Sequence, residues 1–472
     1  MSVYMAVLLS VIMFFNNTLT LALKYQGSFG ISERLLKNAI CSALADFDYN
    51  VKDKYGLYTM YANSESTELC KNKISQNLNE NLAYESANGF IRLEADNLKV
   101  SVKGLNNLSQ LDKQIVNYCK YRVPLSAAEE FLGRASDLLE GLGVELPEFS
   151  AEGEAVLESN VENLVPEEFT EEEYKEFDRR DETNDILKSL SQEKEGGIKI
   201  SEDIYKNLPS HTIINSDNLF DSLMNITNID VEQEGAGENL NQCINDIFYD
   251  KFTFESIYNE ILLDEYILSV FNSKVNAGSN DKSFLKNEAE YILFGNQSDD
   301  TNYNFMSVLL LAVRFLFNTI YIYQDEGICA AADAVAYILT AIVEFVGQPL
   351  VKHGILLSWS LLESWQDVKL LEAGKTVATY KSESTWKTWF NYDKEDKGFL
   401  PLNYKDYLRV FLLMIPREVK LARILDLIQL NELQERSNFN ILNSVTYVEA
   451  ECEFYFEKRK GLSFTKEAFY EY

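Results

Sequence analysis

The feature that most constrains this chain is an uncharged, mostly apolar run at its start. Val3 to Phe15 is apolar almost throughout, Asn16, Asn17, Thr18 and Thr20 dilute the stretch that follows, and no charge appears before Lys24. As a helix rising about 1.5 Å per residue, Met1 to Leu23 is long enough to cross a hydrocarbon layer of roughly 30 Å. A cleavable signal peptide would need a basic segment ahead of the run and a small-x-small cleavage site. No Lys or Arg precedes the run, and Leu21-Ala22-Leu23-Lys24 is a poor cleavage site. A retained membrane anchor over residues 1–24 is therefore preferred, with a signal peptide as the rival and a buried core helix as the third reading. Lys24, Arg34 and Lys37 follow the run, and a strict positive-inside count would keep the rest of the chain inside. Long domains translocate largely regardless of flanking charge, so the body is expected to be extracytoplasmic, on a single-pass protein of the cell membrane.

Behind the anchor the pattern predicts an α+β protein: a helical stalk, a small antiparallel sheet and a predominantly helical C-terminal body. Leu35, Leu36, Ala39, Ile40, Ala43, Leu44 and Phe47 recur at helical spacing, and the helix is expected to run on to Tyr55-Gly56. Phe90 to Val102 alternates, but the alternation changes phase around Asp96-Asn97, which reads as the turn of a hairpin. Helices are expected over 112–121 and 126–142, completing a segment 25–144. Residues 145–195 hold 18 acidic and 5 basic side chains, the composition of a solvated, partly disordered linker, here bounded at 145–250. From 251 to 472 the chain reads as a helical core domain. Phe305–Tyr323 and Ile328–Val351 are apolar nearly all round, yet Arg314, Asp333 and Glu344 interrupt them. An unpaired charge in lipid is costly, so buried core helices are preferred to membrane spans. Helices over 355–371 and 404–435 follow, and Ser444–Phe456 is expected to return as a strand to the early sheet.

Charge and motif narrow the chemistry. With 74 acidic against 43 basic side chains, a formal charge of -31, the chain has no basic surplus for nucleic acid. Two histidines, His211 and His353, cannot build a His-rich metal site. Gly374-Lys375-Thr376 lacks the first glycine of a phosphate loop, since Lys369 stands there, and Asp393–Gly398 lacks the calcium-loop glutamate, since Tyr404 stands there. Neither H-E-x-x-H nor G-x-S-x-G occurs. No catalytic, cofactor-binding or metal-ligating residues are assigned, no cofactor is expected, and no enzyme is predicted. Six irregularly spaced cysteines read mainly as small buried hydrophobes. Arg314 and Asn318 share one helix face, and a buried arginine needs a carboxylate. Asp333, Glu344, Glu363 and Asp367 are the candidates, and a structural polar network of Arg314, Asn318, Glu363 and Asp367 is preferred to a ligand site. Trp386, Trp389 and Tyr392 could form an aromatic contact patch for a glycan or peptide, with core packing the preferred reading.

Several phrases also add up in order. Ala45-Asp46-Phe47-Asp48 and Lys54-Tyr55-Gly56-Leu57-Tyr58 are followed by Lys113-Gln114-Ile115, Tyr118-Cys119-Lys120-Tyr121-Arg122, Leu263-Asp264-Glu265-Tyr266-Ile267 and Glu290-Tyr291-Ile292-Leu293-Phe294-Gly295. Arg314, Asn318, Trp359, Glu363, Asp367-Val368, Leu371, Gly374-Lys375 and Lys381 complete the series. Together these resemble a family of membrane-anchored proteins of unknown function from Firmicutes, often associated with tight-adherence (Tad) pilus gene clusters. The resemblance covers nearly the whole chain outside the acidic linker. It implies an N-terminal transmembrane helix, an extracytoplasmic α+β body, no assigned catalytic residues and a pilin-like or pseudopilin-like context. No acidic residue precedes Glu33, unlike the early acid of pilin-type anchors, so an accessory envelope component fits better than a pilus subunit. The expected partners are membrane lipid and envelope or pilus-system proteins. The rival functions are a secreted or surface hydrolase using paired carboxylates, and a glycan- or peptide-binding surface module.

Overall fold

The computed structural model describes residues 2–60, 65–89, 91–122, 183, 186, 197–213, 254–276, 282–342, 348–382, 385–386, 400–456 and 462–472. The elements are α1 (Ser2–Leu44), α2 (Tyr49–Tyr55), α3 (Ser66–Asn88), β1 (Leu93–Lys103), α4 (Leu108–Lys120), α5 (Glu202–Lys206), α6 (Pro209–Ile213) and α7 (Phe254–Val270). They continue with α8 (Glu288–Phe294), α9 (Asp299–Gln324), α10 (Glu326–Ile342), α11 (Gln348–Glu372), β2 (Val377–Ala378), β3 (Pro401–Leu402), α12 (Tyr404–Leu413), α13 (Arg417–Leu433), β4 (Tyr447–Phe456) and β5 (Ser463–Glu471). The fold class is α+β, mostly helix with a small antiparallel sheet. The chain divides into two compact units, one of residues 1–118 with 425–472, the other of residues 119–424.

In the first unit α1 is one continuous helix of 43 residues, about 65 Å long. Its two halves differ in surroundings. Residues 4–20 are exposed on every side, although most are apolar. From Ser28 onward a stripe is buried: Ser28, Ser32, Leu35, Leu36, Ala39, Ile40, Ala43 and Leu44. The spacing of three and four residues puts them on one face, which packs with α3 against the sheet. The expected helix to Tyr55 is interrupted after Leu44. Asp48 caps a new helix, accepting from Asn50 N at 3.1 Å and Val51 N at 3.4 Å. Gly56 then ends α2 at φ +69°, where a Cβ would stand 2.0 Å from the Tyr118 ring. Only glycine fits that turn.

The sheet has the order β1-β4-β5, all antiparallel. β4 alternates cleanly: Val448, Ala450, Cys452, Phe454 and Phe456 are buried, with Tyr447, Glu449, Glu451, Glu453 and Tyr455 between them. The expected return of this strand to the early sheet is what forms. The early hairpin, however, is a single strand. Leu93 and Ala95 face inward on odd numbers, Val100 and Val102 on even ones, as their partners Phe456, Phe454, Ala450 and Val448 show. The phase change is absorbed by a bulge between Asp96 and Lys99, with Asn97 at φ +54°. The second partner of β4 is β5, which the sequence pattern did not announce.

In the second unit α9, α10 and α11 pack on one another, and α7, α8 and α12 form a neighbouring set. Residues 197–213, within the expected 145–250 linker, include α5 and α6 and are held by Gln297 and Gly295: Ile200 N donates to Gln297 O at 3.0 Å and Tyr205 Oη to Gly295 O at 2.6 Å. The apolar stretch 328–351 is two helices, α10 ending at Ile342 and α11 beginning at Gln348, with Pro349 in the first turn where its missing N–H costs nothing. The expected helix 404–435 is divided into α12 and α13 at Pro416, which cannot supply an interior N–H. The 126–142 helix, most of the acidic linker, Glu344, Trp389 and Tyr392 lie outside the described residues.

Both α1 and α9 are long and apolar enough to cross a membrane. The most apolar stretch of α9 is half buried within the protein, whereas that of α1 is not buried at all. Among the described cysteines, Cys41, Cys70, Cys119, Cys329 and Cys452 are all free thiols, three of them buried.

Candidate functional site

The strongest concentration of chemistry lies inside the second unit, between α9 and α11. Arg314 and Asn318 stand one turn apart on α9 and face Asp367, Ser364 and Glu363 on α11. All five side chains are fully buried. Asp367 Oδ2 accepts from Arg314 Nε at 3.0 Å, Arg314 Nη2 at 2.8 Å and Asn318 Nδ2 at 3.0 Å. The pairing uses two guanidinium nitrogens against one carboxylate oxygen. Arg314 Nη1 donates to Thr379 O at 3.1 Å and to the Tyr407 hydroxyl at 3.3 Å, and Nη2 reaches Asn318 Oδ1 at 3.4 Å. Every guanidinium N–H thus has an acceptor, the condition for burying arginine.

The other Asp367 oxygen binds a residue that the sequence reading did not place here. Lys381 Nζ donates to Asp367 Oδ1 at 2.7 Å, Glu363 Oε1 at 2.7 Å and Thr385 O at 3.2 Å, using all three of its hydrogens. Lys381 lies just beyond β2, in a segment fixed by the β2–β3 pair and by Thr379 Oγ1 donating to Leu400 O at 2.8 Å. Two cations and two carboxylates make the cluster neutral. Burial alone would raise Asp367, but Arg314 and Lys381 outweigh it and hold the carboxyl below its ordinary value. Burial likewise opposes the charge on Lys381, and Asp367 with Glu363 more than restores it.

The structure therefore brings together Arg314, Asn318, Glu363 and Asp367. Of the other carboxylates considered for Arg314, Asp333 pairs with Lys352 instead, at 2.5 Å. Trp386 is buried, with its ring 5.4 Å from that of Tyr321, inside the apolar cluster of Val335, Ile355 and Trp359. It is not an exposed contact ring. Gly374, the tail of the rejected phosphate loop, stops α11 at φ +77°.

Two further ionic groups join distant parts of the chain, one buried and one partly exposed around the buried Glu432. On α7, Asp264 Oδ1 accepts from Lys420 Nζ of α13 at 2.6 Å, and Glu260 accepts from the same nitrogen at 2.8 Å. The second Asp264 oxygen is buried without a partner among the described residues. Burial pushes this carboxyl up to about 7 despite Lys420 and Arg417, with Glu260 adding to the rise. In the first unit, Glu432 accepts from Lys54 at 2.9 Å and from Arg436, whose Nη1 also reaches Asp48 at 2.5 Å. Lys54 and Asp48 belong to the early phrases singled out in the sequence, and neither could be matched there to partners almost 400 positions away.

A pH dependence follows from Asp264. Its folded value stands above the unfolded 3.8, so between those values the native state keeps a proton that the unfolded chain has lost. Stability must fall as pH rises from about 4 to 7 and then level off. Asp264→Asn keeps an acceptor for Lys420 and removes the titration. Denaturant unfolding of the two proteins at pH 5 and pH 8 should show the wild type losing on the order of 2–4 kcal/mol relative to the variant. Parallel pH profiles would contradict this.

Among the described residues, no three of His, Cys, Asp and Glu converge as metal ligands. The buried carboxylates of the α9–α11 cluster are neutralised by adjacent cations and closed to solvent. What the arrangement does chemically is fix two long helices and the β2–Lys381 segment in one register. A sequence model of a family of unknown function (DUF5702) matches residues 170–456, which excludes α1. No curated protein and no solved structure matches the chain.

Proposed function

The chain belongs to the family of unknown function DUF5702, and we propose that it is a non-enzymatic, single-pass membrane tether with an extracytoplasmic body. The observation that carries this reading is the continuity of α1. One helix is apolar and exposed over residues 4–20, then buries a regular stripe from Ser28 to Leu44 against the sheet. A helix anchored in lipid at one end is thereby coupled to a folded unit at the other, with no intervening loop to take up motion. The membrane lipid is the first partner.

The finer reading is an accessory, pseudopilin-like component of a tight-adherence-type pilus or secretion system, with envelope proteins as partners. Its support is the resemblance of the ordered phrases from Asp46 to Lys381, many of whose charged members lie in the buried ionic groups. Such groups suit a scaffold that must keep one shape under load. The test is the N-terminal sequence of the mature protein from native membranes, together with protease digestion of intact cells. An intact terminus in the membrane fraction and an externally cleaved body are expected. A new terminus near residues 22–28, with the chain in the medium or wall, would overturn the tether.

A further inference from the structure

The anchor helix carries two groups that a lone apolar span would not need. Three hydroxyls are satisfied within the helix: Ser10 donates to Val7 O at 2.7 Å, Thr18 to Phe14 O at 3.0 Å, and Thr20 to Asn16 O at 2.8 Å. The side-chain amides of Asn16 and Asn17 make no such bond among the described residues. Both lie well inside the uncharged stretch that ends at Lys24, about 10 Å along the helix from that charge. An amide in hydrocarbon that lacks a partner is costly.

The two amides are not scattered. Met13, Asn16, Asn17 and Thr20 stand at i, i+3, i+4 and i+7, so they share one face. Val11 and Phe15 on the opposite side are wholly apolar and exposed. The polar face has no charge, so it asks for no charged partner. A primary amide is both donor and acceptor, which makes the face complementary to itself. Copies of one chain inserted in the same sense also bring Asn16 and Asn17 to the same depth without any adjustment of register. A different helix would have to carry its amides at that depth independently.

We propose that two copies of this chain associate in the membrane through the Met13–Asn16–Asn17–Thr20 face, with the asparagine amides bonded across the pair. This rests on the tether reading, and the test separates the two. Single cysteines would be placed at positions 9 to 20 of the full-length chain, one at a time, and oxidised in membrane vesicles against the parent chain as baseline. Disulfide dimers should peak at 13 and 20, which leave both amides in place, and fall to baseline at 11 and 15. Adding Asn16→Leu and Asn17→Leu to the Met13→Cys chain should reduce the dimer by about 5- to 30-fold, the loss of one or two interhelical amide bonds. The same variant should remain in the membrane fraction. Uniform or absent cross-linking of membrane-bound chain, or adducts only with another protein, would overturn the pairing and leave the tether standing. Recovery of the parent chain in the soluble fraction would overturn both.

Discussion

Replacing Asp367 with alanine is expected to destabilise the helical unit by about 3–5 kcal/mol, the usual cost of breaking a buried ion pair from one side. The carboxylate is the hub of the α9–α11 cluster. Its loss leaves Arg314 with two guanidinium bonds gone and Lys381 with only Glu363 and a backbone carbonyl. Two buried cations would then face one carboxylate. Trp359, Trp365 and Trp386 belong to this unit, and the fourth tryptophan of the chain, Trp389, falls within the same stretch of sequence, so tryptophan fluorescence during heating reports on it directly. The midpoint should drop on the order of 10 °C. Replacing the charges together, as Arg314→Met, Glu363→Gln, Asp367→Leu and Lys381→Met, should cost far less than the single change, because no charge is then stranded. If Asp367→Ala unfolds like the wild type, the cluster is not what holds these helices.

The pH behaviour of that cluster has a definite sign. Asp367 is held below its ordinary value of 3.8, so its contribution is present above that pH and is lost as the pH falls through the folded value. Lys381 is raised above 10.5, so its contribution is present below that pH and is lost as the pH rises through its folded value. Asp264, on a different pair of helices, adds a decline as the pH rises from about 4 to 7, and Glu290 and Asp299, also raised by burial, act in the same direction.

How far the sequence could reveal this depended on the separation of the partners. Arg314 and Asn318 were visible as a pair because the helical period alone places them together. Asp367 was visible as one of four carboxylates, since a buried arginine demands one, and the expected network took it with Glu363 and left out Asp333 and Glu344. Lys381 was not visible as a partner because it reaches the cluster from irregular chain, where no period predicts direction. Asp264 with Lys420, and Asp48 with Arg436, are joined only by the tertiary fold. The sheet shows the same limit at short range. The phase change between Ala95 and Leu98 is real, but a hairpin and a bulge leave the same trace in one strand. Only pairing with β4 distinguishes them. β5 was missed because its positions opposite the inward residues of β4, Phe464, Lys466, Ala468 and Tyr470, include a charge and so weaken the alternation.

The second large effect concerns the anchor. Val11→Arg with Phe15→Arg should move the chain from the membrane to the soluble fraction. Each arginine near the centre of a span costs about 2.5–3.5 kcal/mol on insertion, so the pair shifts partitioning by roughly 10⁴-fold. Both positions are more than half exposed in the folded chain, and both lie ahead of the buried stripe that begins at Ser28. The body should therefore fold as before, with an unchanged tryptophan melting profile. Both also lie opposite the Asn16–Asn17 face, so the change addresses insertion rather than pairing. Leucine at the same two positions is the control and should stay in the membrane. Alkaline extraction followed by immunodetection distinguishes the outcomes. An arginine variant still resistant to extraction would mean that the chain is held by something other than α1, such as a partner bound by the body, and the continuous helix would then be a stalk without an anchor.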